Sequence, residues 1–186
     1  MADRDGALQS RAKLDSAGGD HPFIGRDLRT EISRSDRIVI DAPEIRGSIN
    51  PIGARIDDIE LKTHRRTVDK QSGPIRLFAP ANTAGEQFAQ FGWAGEAVDL
   101  PGADTAWRVV DGEKLTQKAP VTLGWENREG LRFRLRFAID EHYMLTVTQT
   151  ITNTGDDAVA LTPYAYINRT SMSASLDSFS VHSGPI

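Results

Sequence analysis

Between Leu131 and Ile139 the chain alternates without a fault: Leu131, Phe133, Leu135, Phe137 and Ile139 are apolar, and Arg132, Arg134, Arg136 and Ala138 stand between them. A period of two over nine residues describes a strand with one face in a core and the other in water. A helix turns every 3.6 residues and would scatter the arginines around its whole surface. The chain must therefore build a sheet and cover it with something. The next run obeys the same rule, with Tyr143, Leu145, Val147 and Ile151 on one side and Thr146, Thr148, Thr150 and Thr152 on the other. Threonine suits a half-exposed strand. Asp140, Glu141 and His142 make the hairpin between the two runs. Upstream, Val121, Leu123 and Trp125 alternate with Thr122, Gly124 and Glu126, and Asn127-Arg128-Glu129-Gly130 supplies a turn with glycine for the φ > 0 position. Downstream, Asn153-Thr154-Gly155-Asp156 turns into a run from Ala158 to Asn168. The four runs predict a meander from Val121 to Asn168.

The first half carries shorter candidate strands at Arg37 to Ile40, Glu44 to Ile49, Ala54 to Lys62, Ile75 to Phe78, Phe88 to Trp93 and Trp107 to Val110. Pro43, Pro51, Pro74 and Pro80 fall between runs, where a missing backbone N–H does least harm. In the third run Ile59 and Leu61 alternate but Ile56 is out of phase by one, which predicts a bulge near Asp57-Asp58. Roughly ten strands do not lie in one flat sheet, so the expectation is an all-β, antiparallel domain of two packed sheets. Residues 1–35 have as many basic as acidic side chains, Ala17-Gly18-Gly19-Asp20 in the middle and few large apolar groups. Residues 1–36 read as a flexible leader, with a weak helical stretch from Ala7 to Leu14, ahead of a domain over 37–186.

Composition narrows the function. At 186 residues with 39% hydrophobic side chains the chain suits a single domain, and its net charge of −4 has the wrong sign for a protein living on nucleic acid phosphates. No apolar run approaches the roughly 20 residues of a membrane span, and no signal segment opens the chain, which reads as a soluble polypeptide. Without cysteine there are no disulfides, thiolate nucleophiles or cysteine metal sites. His21, His64, His142 and His182 lack metal-ligand spacing. No metal or cofactor is expected.

Four constellations remain. Arg132, Arg134 and Arg136 line one strand face about 7 Å apart, as a ladder for lipid headgroups or an acidic partner would. The plainer reading is a solvated face whose arginines pair with acidic or threonine neighbours across the sheet. Asp57, Asp58 and Glu60, near His64, Arg65 and Arg66, are paired carboxylates of the kind used in acid–base chemistry. As adjacent residues, however, Asp57 and Asp58 point to opposite faces of a regular strand, and a charged edge or turn is the simpler expectation. His64 and His142 form an acid–base pair only if the fold brings them together. Trp93, Trp107 and Trp125, with Phe88 and Phe91, could stack a sugar, though their phase with core residues favours packing. Asn168-Arg169-Thr170 matches a glycosylation sequon, a motif common by chance. These residues support a β-sandwich interaction module, not an enzyme.

The stretch from Gly47-Ser48-Ile49-Asn50 through Gly53-Ala54-Arg55-Ile56-Asp57-Asp58-Ile59-Glu60-Leu61-Lys62 opens a longer pattern. It continues in Phe88-Ala89-Gln90-Phe91-Gly92-Trp93, Leu100-Pro101-Gly102-Ala103-Asp104-Thr105-Ala106-Trp107, Pro120-Val121-Thr122-Leu123-Gly124-Trp125 and Tyr143-Met144-Leu145-Thr146-Val147-Thr148. In order and spacing these motifs resemble the periplasmic domain of the YidC branch of the YidC/Oxa/Alb family of membrane protein insertases, nearest its alphaproteobacterial versions, over about residues 37–186. The resemblance implies an antiparallel β-super-sandwich similar to sugar mutarotases, held in the periplasm between the first and second membrane helices. It also implies a non-enzymatic role in inserting and folding inner-membrane proteins, alone or with the Sec translocon, with the Sec accessory subunits and nascent membrane proteins as partners. Against that pattern the chain reads as a fragment. It has no membrane helix before the leader, a sandwich incomplete at the C-terminus, and no membrane core in which the family's insertase arginine would lie. An open sheet edge would then favour self-association of the isolated chain. The competing readings are a mutarotase-like sugar-binding sandwich and an inactive truncated remnant.

Overall fold

The computed structural model describes residues 26–169 apart from 70 and 97. Ten strands form, numbered in chain order: β1 (Ile38–Asp41), β2 (Ile45–Asn50), β3 (Arg55–Arg65), β4 (Pro74–Phe78), β5 (Gln87–Ala94), β6 (Arg108–Asp111), β7 (Val121–Glu126), β8 (Leu131–Ile139), β9 (Leu145–Asn153) and β10 (Thr162–Arg169). Each falls on a run that the alternation and turn residues mark out. β8 has the bounds its pattern predicts, buried at each apolar position and exposed at each arginine. One helix, α1 (Leu28–Ile32), lies within the span read as flexible leader. Asp27 caps it, its carboxylate accepting from the Thr30 amide at 2.9 Å. The helical stretch expected at Ala7 to Leu14 lies outside the described residues.

All strand pairs are antiparallel, in two sheets. One has the order β1-β2-β3-β5-β10, with β4 on the C-terminal part of β3; the other is β6-β7-β8-β9. The expected bulge is present. Ser48 faces Asp58 and Ile49 faces Ile56, which leaves Asp57 as the extra residue of β3.

The meander ends one strand earlier than expected. β7, β8 and β9 follow one another as hairpins, but β10 joins the opposite sheet and pairs with β5 along its whole length, from Thr162 opposite Ala94 to Arg169 opposite Gln87. Alternation says that a segment is a strand, not which edge it meets. Side-chain contacts settle the partner here. Tyr166 Oη donates to Gln90 Oε1 at 2.9 Å, and Asn168 Nδ2 to Glu86 Oε1 at 2.8 Å. Tyr164 lies over Gly92, where an added Cβ would sit 2.5 Å from the phenol oxygen.

The core fills the space between the sheets. From β7 and β8 come Val121, Leu123, Phe133, Leu135 and Phe137, all fully buried, and from the facing sheet Ile40, Ile49, Ile56 and Trp93. Trp93 meets Phe133 edge-on at 5.0 Å and stacks on Trp107 at 6.3 Å, while Phe91 meets Phe137 at 6.2 Å. These geometries suit aromatic quadrupoles. The tryptophans of the suggested sugar platform are thus mostly core, with only Trp125 half-exposed. Phe133→Ala should destabilise the domain by about 3–5 kcal/mol in denaturant titration, whereas Thr148→Ala on the outer face of the same sheet should change stability by less than about 0.5 kcal/mol.

Candidate interaction surfaces

The outer face of the β6–β9 sheet carries the arginine row. Across the strands Arg132 lies opposite Glu126 and Thr152, Arg134 opposite Gly124 and Thr150, and Arg136 opposite Thr122 and Thr148. Arg132 Nε donates to Glu126 Oε2 at 3.2 Å. Among the described residues no carboxylate comes within ion-pair reach of Arg134 or Arg136. Arg108 of β6 is also opposite Gly124. A depression of about 510 Å³ opens between Arg108, Arg132 and Arg134 above that glycine. A Cβ at position 124 would come 2.8 Å from Val110 Cγ1, so glycine lets β6 lie close and leaves the floor low.

A second, apolar surface lies where the sheets part. Leu145 and Val147 of β9 form one wall, Ala165 and Ile167 of β10 the other, with Ile56 and Phe91 below, around a slot of about 450 Å³. Ile167 is 65% exposed, far more than a strand residue packed on both sides.

The paired carboxylates are neither a charged edge nor a turn. The bulge brings Asp57 and Asp58 into one buried cluster in a strand paired on both sides. Arg37 donates to Asp57, both side chains being 2% exposed, and Arg37 Nε also donates to Ser48 Oγ at 2.8 Å. Ser48 Oγ in turn donates a hydrogen bond to Asp58 Oδ2 at 2.7 Å, and Arg76 binds Asp58 and Glu60 together. Burial pushes the Asp57 carboxyl up from its usual range, and the Arg37 guanidinium pulls the other way. Asp57, held by a guanidinium out of solvent, cannot reach a substrate, and Asp58 and Glu60 are engaged by Arg76 nearer the surface, so this cluster fastens β1, β2, β3 and β4 together. Sequence reasoning missed Arg37, Ser48 and Arg76, which come from three separate runs; the phase slip at Ile56 was the only local sign.

The histidines do not form a pair. His64 meets Tyr143 edge-on at 6.0 Å, and its Nδ1 lies 3.2 Å from Thr63 Oγ1, whereas His142 Nε2 lies 3.8 Å from Glu141. Arg66 turns away to the carbonyl of Ser72. Asn168 of the sequon is bonded to Glu86, and Thr170 lies outside the described residues. Asp41, at the end of β1, accepts from Lys114 and Lys62 at 2.7 Å each, which holds its carboxyl down at about 2.

Residues 37–186 match the family model of the YidC periplasmic domain. Membrane protein insertase YidC of Zymomonas mobilis is 36% identical over 97% of this chain and 31% of its own length. The insertase of that name from Methylobacterium nodulans is 41% identical over 84% of this chain and 26% of its own, and that from Bradyrhizobium diazoefficiens 42% identical over 80% and 24%. The chain spans less than a third of the length of the curated relatives it matches.

Arg37→Met should cost about 3–5 kcal/mol by leaving Asp57 buried and unpaired, and adding Asp57→Leu should return part of that loss in the same denaturation assay. The Asp41 carboxyl titrates lower in the fold than in the unfolded chain, so its stabilising effect is present above pH about 4 and fades as pH falls toward about 2. Thermal melts of native protein and Asp41→Asn should therefore differ at neutral pH and converge at pH about 2.

Proposed function

Because the chain belongs to the family of YidC periplasmic domains, we propose that it is the periplasm-facing interaction domain of an inner-membrane insertase that inserts and folds membrane proteins. The match over residues 37–186 carries this reading. The names of the relatives support it, each being a membrane protein insertase. In this reading residues 1–36 tether the domain and residues 37–186 form it. Its partners are nascent membrane proteins, the Sec translocon and its accessory subunits, and a second copy meeting the outer edge of β10. The domain acts by contact rather than by turnover. The geometry favours contact: the buried carboxylates are held in ion pairs, while an apolar slot and an arginine face stand open.

Depleting the protein that carries this sequence from its own cells should leave newly made inner-membrane proteins uninserted, read by protease protection. An antibody against the domain should find it in the inner membrane in a polypeptide larger than 20.4 kDa. Normal insertion after depletion would remove the reading.

A further inference from the structure

The outer face of the β6–β9 sheet is cationic on a chain that is acidic as a whole. Arg108, Arg132, Arg134 and Arg136 stand on it, and the carboxylates that share it are Glu126, taken by Arg132, and Asp111, opposite Thr122 at the end of β6. The other sheet shows what a neutralised face looks like. There Arg46, Glu60 and Arg76 lie side by side across β2, β3 and β4, and both arginines bind carboxylates. Solubility alone would be served by that arrangement. Arg134 and Arg136 instead face Thr150 and Thr148, in a row of exposed threonines running from Thr146 to Thr152.

We propose that this face docks on the anionic headgroups of a phospholipid surface, with Arg134 and Arg136 making the ion contacts and the β9 threonine hydroxyls donating to phosphate oxygens. Guanidinium groups present paired donors that fit phosphate, and a strand spaces them about 7 Å apart in a plane. A specific protein partner would need a different surface, since such interfaces centre on aromatic or aliphatic anchors seated in pockets. Among the described residues β7, β8 and β9 expose no large apolar side chain; Val109 and Val110 are exposed on the edge strand β6, and half-buried Trp125 lines the depression. A headgroup layer requires positive charge and donors spread over a face, which Arg134, Arg136 and the β9 threonines supply beside the depression. The charge argument stands independently of the insertase reading.

The test is flotation of the 186-residue chain with vesicles of phosphatidylglycerol and phosphatidylethanolamine, and separately of phosphatidylcholine, at low and high salt. The expected result is binding to the phosphatidylglycerol vesicles alone, weakened by salt, and about fivefold weaker for each arginine removed, so about 25-fold for the Arg134→Gln/Arg136→Gln variant. Both side chains are exposed, and matching thermal melts would show that the variant is folded. Arg46→Gln, on the opposite face, should bind like the native chain. Equal binding to phosphatidylcholine, or native binding by the double variant, would overturn the proposal. So would binding to poly-glutamate with none to vesicles, which would assign the face to an acidic polypeptide. A failure with vesicles leaves the insertase reading standing, because that reading is tested by insertion in cells.

Discussion

The structure depends on covering the inner face of β8. Leu131, Phe133, Leu135, Phe137 and Ile139 present an unbroken apolar stripe that is costly to leave in water, and a single sheet cannot hide it. The second sheet exists to meet it. Trp93 of β5 sits against Phe133 and Trp107, and Phe91 against Phe137, so β5 is the strand that locks the two sheets in register. Once β5 is fixed, β3 pairs with it at Ile56 and β10 along its other edge. The remaining strands are then placed by pairing to these.

The bulge at Asp57 solves a local problem created by that packing. β3 must keep Ile56 and Ile59 in the core although they are three residues apart, and an unbroken strand cannot put both on one side. One extra residue restores the phase, at the cost of drawing two aspartates out of solvent. Arg37, Ser48 and Arg76 answer that cost with charge and hydrogen bonds. What reads in sequence as acid–base potential is therefore a structural joint. Its position at the start of the matched region, where Arg37 enters β1, ties the first strand to the third.

Among the described residues two surfaces are not used up by packing. The slot between β9 and β10 exposes apolar side chains, and the arginine face exposes Arg134 and Arg136 without a carboxylate partner among the described residues. They lie on different parts of the sandwich, one where the sheets part and one on an outer face. If the arginine face docks as proposed, this chain offers an anionic-ligand contact and an apolar contact on separate parts of one sandwich.

Much of this was legible in the residues. The strands followed from period-two alternation and turn residues, because a half-buried strand leaves that trace wherever it lies. The bulge followed from a single phase error at Ile56, and the threonines and Glu126 do stand across the sheet from the arginine row, although only Arg132 is bonded to one of them, Glu126. The motifs that carry the family resemblance were also local. Only the tertiary structure decided that β10 leaves the meander for β5, that Asp57 and Asp58 are buried among arginines, that His64 meets Tyr143 instead of His142, and that β9 and β10 wall an apolar slot. Each of these joins residues from distant runs. Alternation fixes which side of a strand is apolar, but the partner strand is chosen by side-chain fit and charge across the sheet, which no local pattern encodes.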